Sequence, residues 1–198
     1  MSPESRARGF TLAELLVAIA LGVVTLAILV SLVMATVRVS FRGTARVQLQ
    51  QSALTATNRL AEDLANAPIA GVTMWQQPDS FRLAIHRLGN VGLDGEQVWA
   101  DTLLVYGWNK SDGRLVRLEV PGMGTERARR PTRAEVQGWL ADSSLPRRGL
   151  AVEVIRLELN SSLPPPALAQ PLKLVMDLER GSEKFRLERD FFLMNSSL

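Results

Sequence analysis

The hydrophobic positions of this chain fall into three regimes. From Leu15 to Val37 the residues are apolar, interrupted only by Gly22, Thr25, Ser31 and Thr36. At about 1.5 Å per residue this run makes a helix of roughly 35 Å, enough to cross a hydrocarbon core of about 30 Å. Beyond Val37 the apolar positions thin to Phe41, Ala45, Leu49, Ala53, Ala56, Leu60, Leu64 and Ala67, spaced by threes and fours among Arg, Gln, Asn, Glu and Asp. That is the period of an amphipathic helix. Pro68 biases Ala67 away from helical angles and ends it. One continuous helix, or two helices parted near Gly43, satisfy the same spacing.

From Pro68 onward the period becomes that of strands. Phe81, Leu83 and Ile85 alternate within Ser80 to Leu88, before a glycine-rich break from Gly89 to Gly95. Asp101 to Trp108 and Arg114 to Val120 flank Asn109-Lys110-Ser111-Asp112-Gly113, whose Asp-Gly pair predicts a hairpin. Leu150, Val152 and Val154 alternate, then Ile155, Leu157 and Leu159 alternate in the opposite phase, the mark of a β-bulge. Leu163 to Pro171 holds three consecutive prolines and reads as an extended connector. Leu172 to Leu178 and Phe185 to Met194 flank Arg180-Gly181-Ser182-Glu183 as a terminal hairpin. Between the hairpins, Thr132 and Glu135 form a capping-box pattern for a short helix that buries Val136, Trp139 and Leu140. The expected fold class is α+β: a long N-terminal helix, transmembrane then amphipathic, packed on an antiparallel β-rich head.

Composition narrows the chemistry. The chain has 198 residues, no cysteine and one histidine, with a net charge of +3 and a pI near 9.9. Without cysteine, an exported head is held by packing alone. One histidine and no cysteine exclude a His/Cys zinc site of the usual kind within one chain, and His86 sits in a predicted strand. No nucleophile elbow or phosphate loop occurs, and Gly122-Met123-Gly124 lacks the rest of a dinucleotide fingerprint. Glu62 and Asp63 read as a solvated helix face, and Trp75, Trp99, Trp108 and Trp139 as packing residues. The expectation is no enzyme, no cofactor and no metal. Arg127, Arg129, Arg130 and Arg133 form the only basic cluster, either a solvated loop or a contact for an acidic partner subunit or anionic surface. Positive charge is otherwise dispersed, so nucleic acid is not expected as a partner.

Glu14 is the anomaly of the apolar segment. A carboxylate in a membrane span is disfavoured by about 2.5 to 3.5 kcal/mol at the centre and less near the edge, so it calls for a partner. The preceding MSPESRARG carries Arg6 and Arg8 and ends at Gly9. A cut between Gly9 and Phe10 would create an amine one turn from Glu14, on about the same side of the helix. Carboxylate and ammonium about 4 Å apart gain about 4 kcal/mol at an effective dielectric near 20, before desolvation.

RGFTLAELLVAIALG resembles the prepilin signature of type IV pilins and type II secretion pseudopilins: a basic leader, a glycine, Phe-Thr-Leu, then a glutamate ahead of a long apolar run. The resemblance implies cleavage after Gly9 by prepilin peptidase, N-methylation of Phe10 and a role for Glu14 in meeting the Phe10 amine of a neighbouring subunit during assembly. It implies a leader over residues 1–9, a transmembrane or filament-core helix over 10–37, its amphipathic continuation over 38–67 and a β-rich head over 68–198. Its partners are other pilin or pseudopilin subunits and an inner-membrane assembly platform. Its place is the inner membrane, single-pass, with leader cytoplasmic and head extracytoplasmic, and a filament after assembly. The span lacks the helix-kinking proline of many major pilins and carries Ser31. The strand patterns of Asp101 to Val120 and Pro171 to Met194 resemble the larger minor subunits, J-type in secretion or W-type in pili, which act near a filament tip.

Two plainer readings compete. A secretory signal peptide has a shorter apolar region, and although Val33-Met34-Ala35 imitates a cut site, Glu14 is misplaced for one. A single-span anchor for an extracytoplasmic binding or enzymatic domain explains the length and leaves Gly9, Phe10 and Glu14 as coincidences.

Overall fold

A computed structural model describes residues 11–91, 95–161 and 170–193. One α-helix, α1, runs from Leu12 to Ala65 through Gly43 without interruption. The chain divides into two units, Met1–Thr44 and Ala45–Leu198. The described residues of the first are Thr11 and α1 as far as Thr44, its apolar stretch included.

Among the described residues, the second unit contains the rest of α1, a short helix α2 (Arg133–Ala141) and eight strands. β1 (Val72–Gln77), β2 (Ser80–Val91), β3 (Gln97–Asn109), β4 (Arg114–Pro121) and β5 (Arg147–Ala151) form an antiparallel sheet in that order. β6 (Val154–Asn160), β7 (Leu172–Arg180) and β8 (Glu183–Phe191) form a second antiparallel sheet. The long helix and antiparallel sheets make the architecture α+β and pilin-like.

Helical spacing places Leu49, Ala53, Ala56, Leu60, Leu64 and Ala67 in the main core with Leu104, Tyr106 and Trp108 of β3 and Leu174, Met176 and Leu178 of β7. Alanines at three of these six positions let the helix backbone approach the sheet closely. Phe41 extends the same spacing but is 72% exposed, outside that core. α2 covers the opposite face of the larger sheet, where Leu103 and Val105 meet Val136. β3 is thus buried on both faces from Leu103 to Trp108. Leu140 of α2 packs into the space that Gly107 leaves, where a Cβ would lie 2.5 Å from its Cδ2.

Both anticipated hairpins form. Asn109 pairs with Arg114 across a turn whose Gly113 has φ +58°. Arg180 pairs with Glu183 across Gly181 at φ +62°. Three expectations need correction. β2 continues through Gly89 to Val91, so the glycine-rich break starts too early. β1 was not anticipated, because Val72 and Met74 offer only two core positions before the exposed Gln76 and Gln77. The phase shift after Val152 marks a change of sheet: β5 ends at Ala151, Glu153 turns the chain with φ +64°, and β6 starts in the other sheet. A register shift does follow between Val154 and Arg156. Residues 163–169 of the connector and Met194 lie outside the described residues.

Candidate functional site

The first turn of α1 is closed by its own side chains. Thr11 N–H and Oγ1–H both donate to Glu14 Oε2, at 2.9 and 3.0 Å, and Glu14 N–H donates to Thr11 Oγ1 at 3.3 Å. This is a reciprocal capping box, which satisfies backbone donors that a helix start otherwise leaves open. It also puts a negative charge where the aligned peptide dipoles favour one. Glu14 therefore has a local structural role in addition to any intermolecular one. The Thr-x-x-Glu spacing that identifies the cap of α2 is present here too.

Past this cap the helix presents apolar side chains on every side. Leu15, Leu16, Val17, Ile19, Leu21, Val23 and their successors are all exposed. The most apolar window of α1 has a mean hydropathy of 2.9 and no buried residue. Its hydroxyls turn back to the helix itself: Thr25 to Leu21 O at 2.8 Å, Ser31 to Ile28 O at 2.8 Å and Thr36 to Leu32 O at 2.9 Å. Closing polar groups internally is what a non-aqueous surrounding demands. Ala18, Ala20 and Gly22 lie exposed in this stretch, and Gly22 has open space beside its Cα. Gly9 and Phe10 lie outside the described residues.

Residues 5–36 match the family model of the prokaryotic N-terminal methylation motif. This end of the chain is type IV prepilin-like. The motif implies processing by prepilin peptidase and the company of other pilin-like subunits, and it favours a structural subunit over an enzyme. Motif and apolar helix together support membrane anchoring. No curated protein and no solved structure matches the chain.

The prepilin-like chain also holds polar clusters that its sequence hid. Asp63 is fully buried, correcting its assignment to a solvated face, whereas its neighbour Glu62 is exposed. Asp63 Oδ2 accepts from Tyr106 Oη at 2.5 Å and from Arg117 Nε at 2.7 Å. Arg87 and Arg59 stand 3.7 and 3.9 Å from the carboxylate, and Arg117 also binds Glu119. Burial, then the adjacent Asp63 charge, push the Tyr106 phenol well above its ordinary range. The helical spacing that buries Leu60 and Leu64 also turns residue 63 toward the sheet. Only the strand register reveals that Arg117 waits there, because Tyr106 and Arg117 are paired neighbours on β3 and β4.

His86 is buried in β2 and stacks on Trp99 with ring centroids 5.2 Å apart. Its Nδ1 accepts from Arg129 N–H at 2.8 Å and its Nε2 meets Ala100 O at 2.5 Å. A backbone N–H only donates, so Nδ1 is the acceptor and Nε2–H the donor. This contact pins the segment that carries the basic cluster. Arg129 pairs with Glu135, Arg130 donates to Ala70 O at 3.0 Å and Arg133 to Gln77 Oε1 at 2.7 Å. All four arginines are exposed, in line with the solvated-loop alternative, and these bonds anchor the segment as a strap.

Proposed function

We propose that the protein is a minor pilin-like subunit, a pseudopilin, cut by prepilin peptidase between Gly9 and Phe10 and N-methylated on Phe10. In this reading residues 1–9 are a cytoplasmic leader, 10–37 a single span of the inner membrane and filament core, 38–67 its amphipathic continuation and 68–198 an extracytoplasmic head. Neighbouring spans pack laterally, with Ala18, Ala20 and Gly22 permitting close approach. Glu14 receives the Phe10 ammonium of an adjacent subunit and sets axial register. The role is structural, near the tip of a type II secretion pseudopilus or a type IV pilus, with an inner-membrane platform and other subunits as partners.

The observation that carries this proposal is the N-terminal stretch of α1, apolar on all sides from Leu15 to Val37, with the carboxylate of Glu14 at its first turn. Among the described residues, Glu14 Oε2 alone accepts in the cap, which leaves the second carboxylate oxygen for a further donor in this reading. The test is intact mass with N-terminal sequencing of the chain made beside active and inactive prepilin peptidase. A chain starting at methylated Phe10 only with the active enzyme is expected. A chain retaining Met1, or starting near Thr36, in both samples would leave an anchored or secreted domain with no filament role.

A further inference from the structure

On the α2 side of the larger sheet, a cleft of about 470 Å³ is lined by Arg82, Arg114 and Arg147, with Asp112, Val116 and Leu140 among its other walls. Its base follows from register. Arg82 of β2 stands opposite Gly107 of β3, over which Leu140 of α2 packs. The Arg82 guanidinium donates to Phe81 O at 2.8 Å, Trp108 O at 2.6 Å and Asn109 Oδ1 at 2.7 Å. These acceptors are all neutral, and the buried Arg82 Nε has none. Among the described residues, no carboxylate lies within ion-pair distance of Arg82, Arg114, Arg147 or the nearby Arg133, although thirteen other ion pairs form. Burial and the repulsion of Arg133 both lower the proton affinity of Arg82, which identifies it as a cation short of a counter-charge.

We infer that this cleft is a docking site for an acidic segment of a partner protein, which inserts an Asp or Glu side chain between Arg82, Arg114 and Arg147. Guanidinium forks match a planar carboxylate in two-bond geometry, while Val116 and Leu140 offer apolar surface to its methylene stem. Asp112 in the same wall opposes a doubly charged phosphate more than a single carboxylate. A bilayer surface engages protruding cations, and Arg82 is recessed and held at the base by three fixed bonds. The inference goes beyond the filament proposal and does not depend on it, since the cleft is complete whether or not Gly9 is cut.

The test uses the full chain in neutral-detergent micelles and a fluorescein-labelled oligoglutamate peptide, read by polarisation at low salt. Saturable binding is expected, about tenfold weaker in the double variant Arg114→Gln/Arg147→Gln. Both positions are exposed, so that variant leaves the core intact, and unchanged circular dichroism checks it. Arg127→Gln/Arg148→Gln removes the same charge outside the cleft and should stay within about twofold. Absence of saturable binding, or equal loss in the two double variants, would overturn the site. Displacement of the peptide by millimolar inorganic phosphate, or by phosphatidylglycerol added to the micelles, would assign the arginines to a phosphate or lipid source and overturn the protein partner.

Discussion

At the scale of single residues, Asp63 and Glu62 show how adjacent carboxylates acquire opposite fates. Glu62 forms an exposed ion pair with Arg59 at 2.7 Å, of a kind worth about 0 to 1 kcal/mol. Asp63 has no exposed side-chain surface and is bonded to Tyr106 and Arg117. Breaking such a buried pair costs about 3 to 5 kcal/mol, and without Asp63 the buried Arg117 would keep only the exposed Glu119. Asp63→Ala should therefore lower the denaturant midpoint of the full chain sharply, while Glu62→Ala should shift stability by about 0.5 kcal/mol or less. The sequence carried half of this: helical period puts residue 63 beside the core positions 60 and 64, but Arg117 is distant in the chain and appears only once β3 and β4 are in register.

Tyr106 makes the same cluster visible to alkali. It is the only tyrosine, so tyrosinate absorbance reports it alone. Its folded pKa is raised above the ordinary value of 10.0 by burial and by Asp63. The stability linked to this group is complete below pH 10 and is lost as pH rises above that value, because the unfolded chain ionises first. Tyrosinate should appear in one step together with loss of circular dichroism. A phenol that titrates near its ordinary value in a still-folded chain would contradict the buried contact with Asp63.

At the scale of elements, the elements best read from sequence were those with local causes. The Thr132–Glu135 box is present in both directions, and the two hairpins turn at glycines whose positive φ only that residue adopts freely. Elements with distant causes were missed or misjoined. Val152 and Ile155 look like inward strand positions, yet both are exposed: Val152 lies where the chain crosses between sheets at Glu153, and Ile155 lies in β6 at its register shift. The cap of α2 makes a prediction of its own. Bonds from Thr132 N–H and Oγ1–H hold Glu135 below its ordinary value. Its contribution is complete above the ordinary value of 4.5 and is lost as pH falls through the lowered folded value. Thr132→Ala should cost about 1 kcal/mol and speed amide exchange in α2, with the difference from the parent chain shrinking in acid as Glu135 takes up a proton.

At the scale of the whole molecule, the prepilin-like N-terminus was legible because its signals are contiguous, while the arginine cleft was not, since Arg82, Arg114 and Arg147 come together only through β2, β4 and β5. The same N-terminus poses a question that composition alone could not: whether Glu14 matters as a cap or as a charge. Glutamine preserves the hydrogen-bonding half of a capping box and abolishes the charge. Glu14→Gln should therefore keep helix content and membrane insertion, yet reduce filament incorporation by about tenfold or more, since the charge attraction is worth about 4 kcal/mol before desolvation. Thr11→Val should do the reverse, fraying the first turn while leaving the charge and most incorporation in place. Incorporation can be counted by co-purification with sheared filaments, and insertion by resistance to carbonate extraction. Equal incorporation of Glu14→Gln and the parent would leave the carboxylate with its local role alone, and would return the register of neighbouring helices to the packing of Ala18, Ala20 and Gly22.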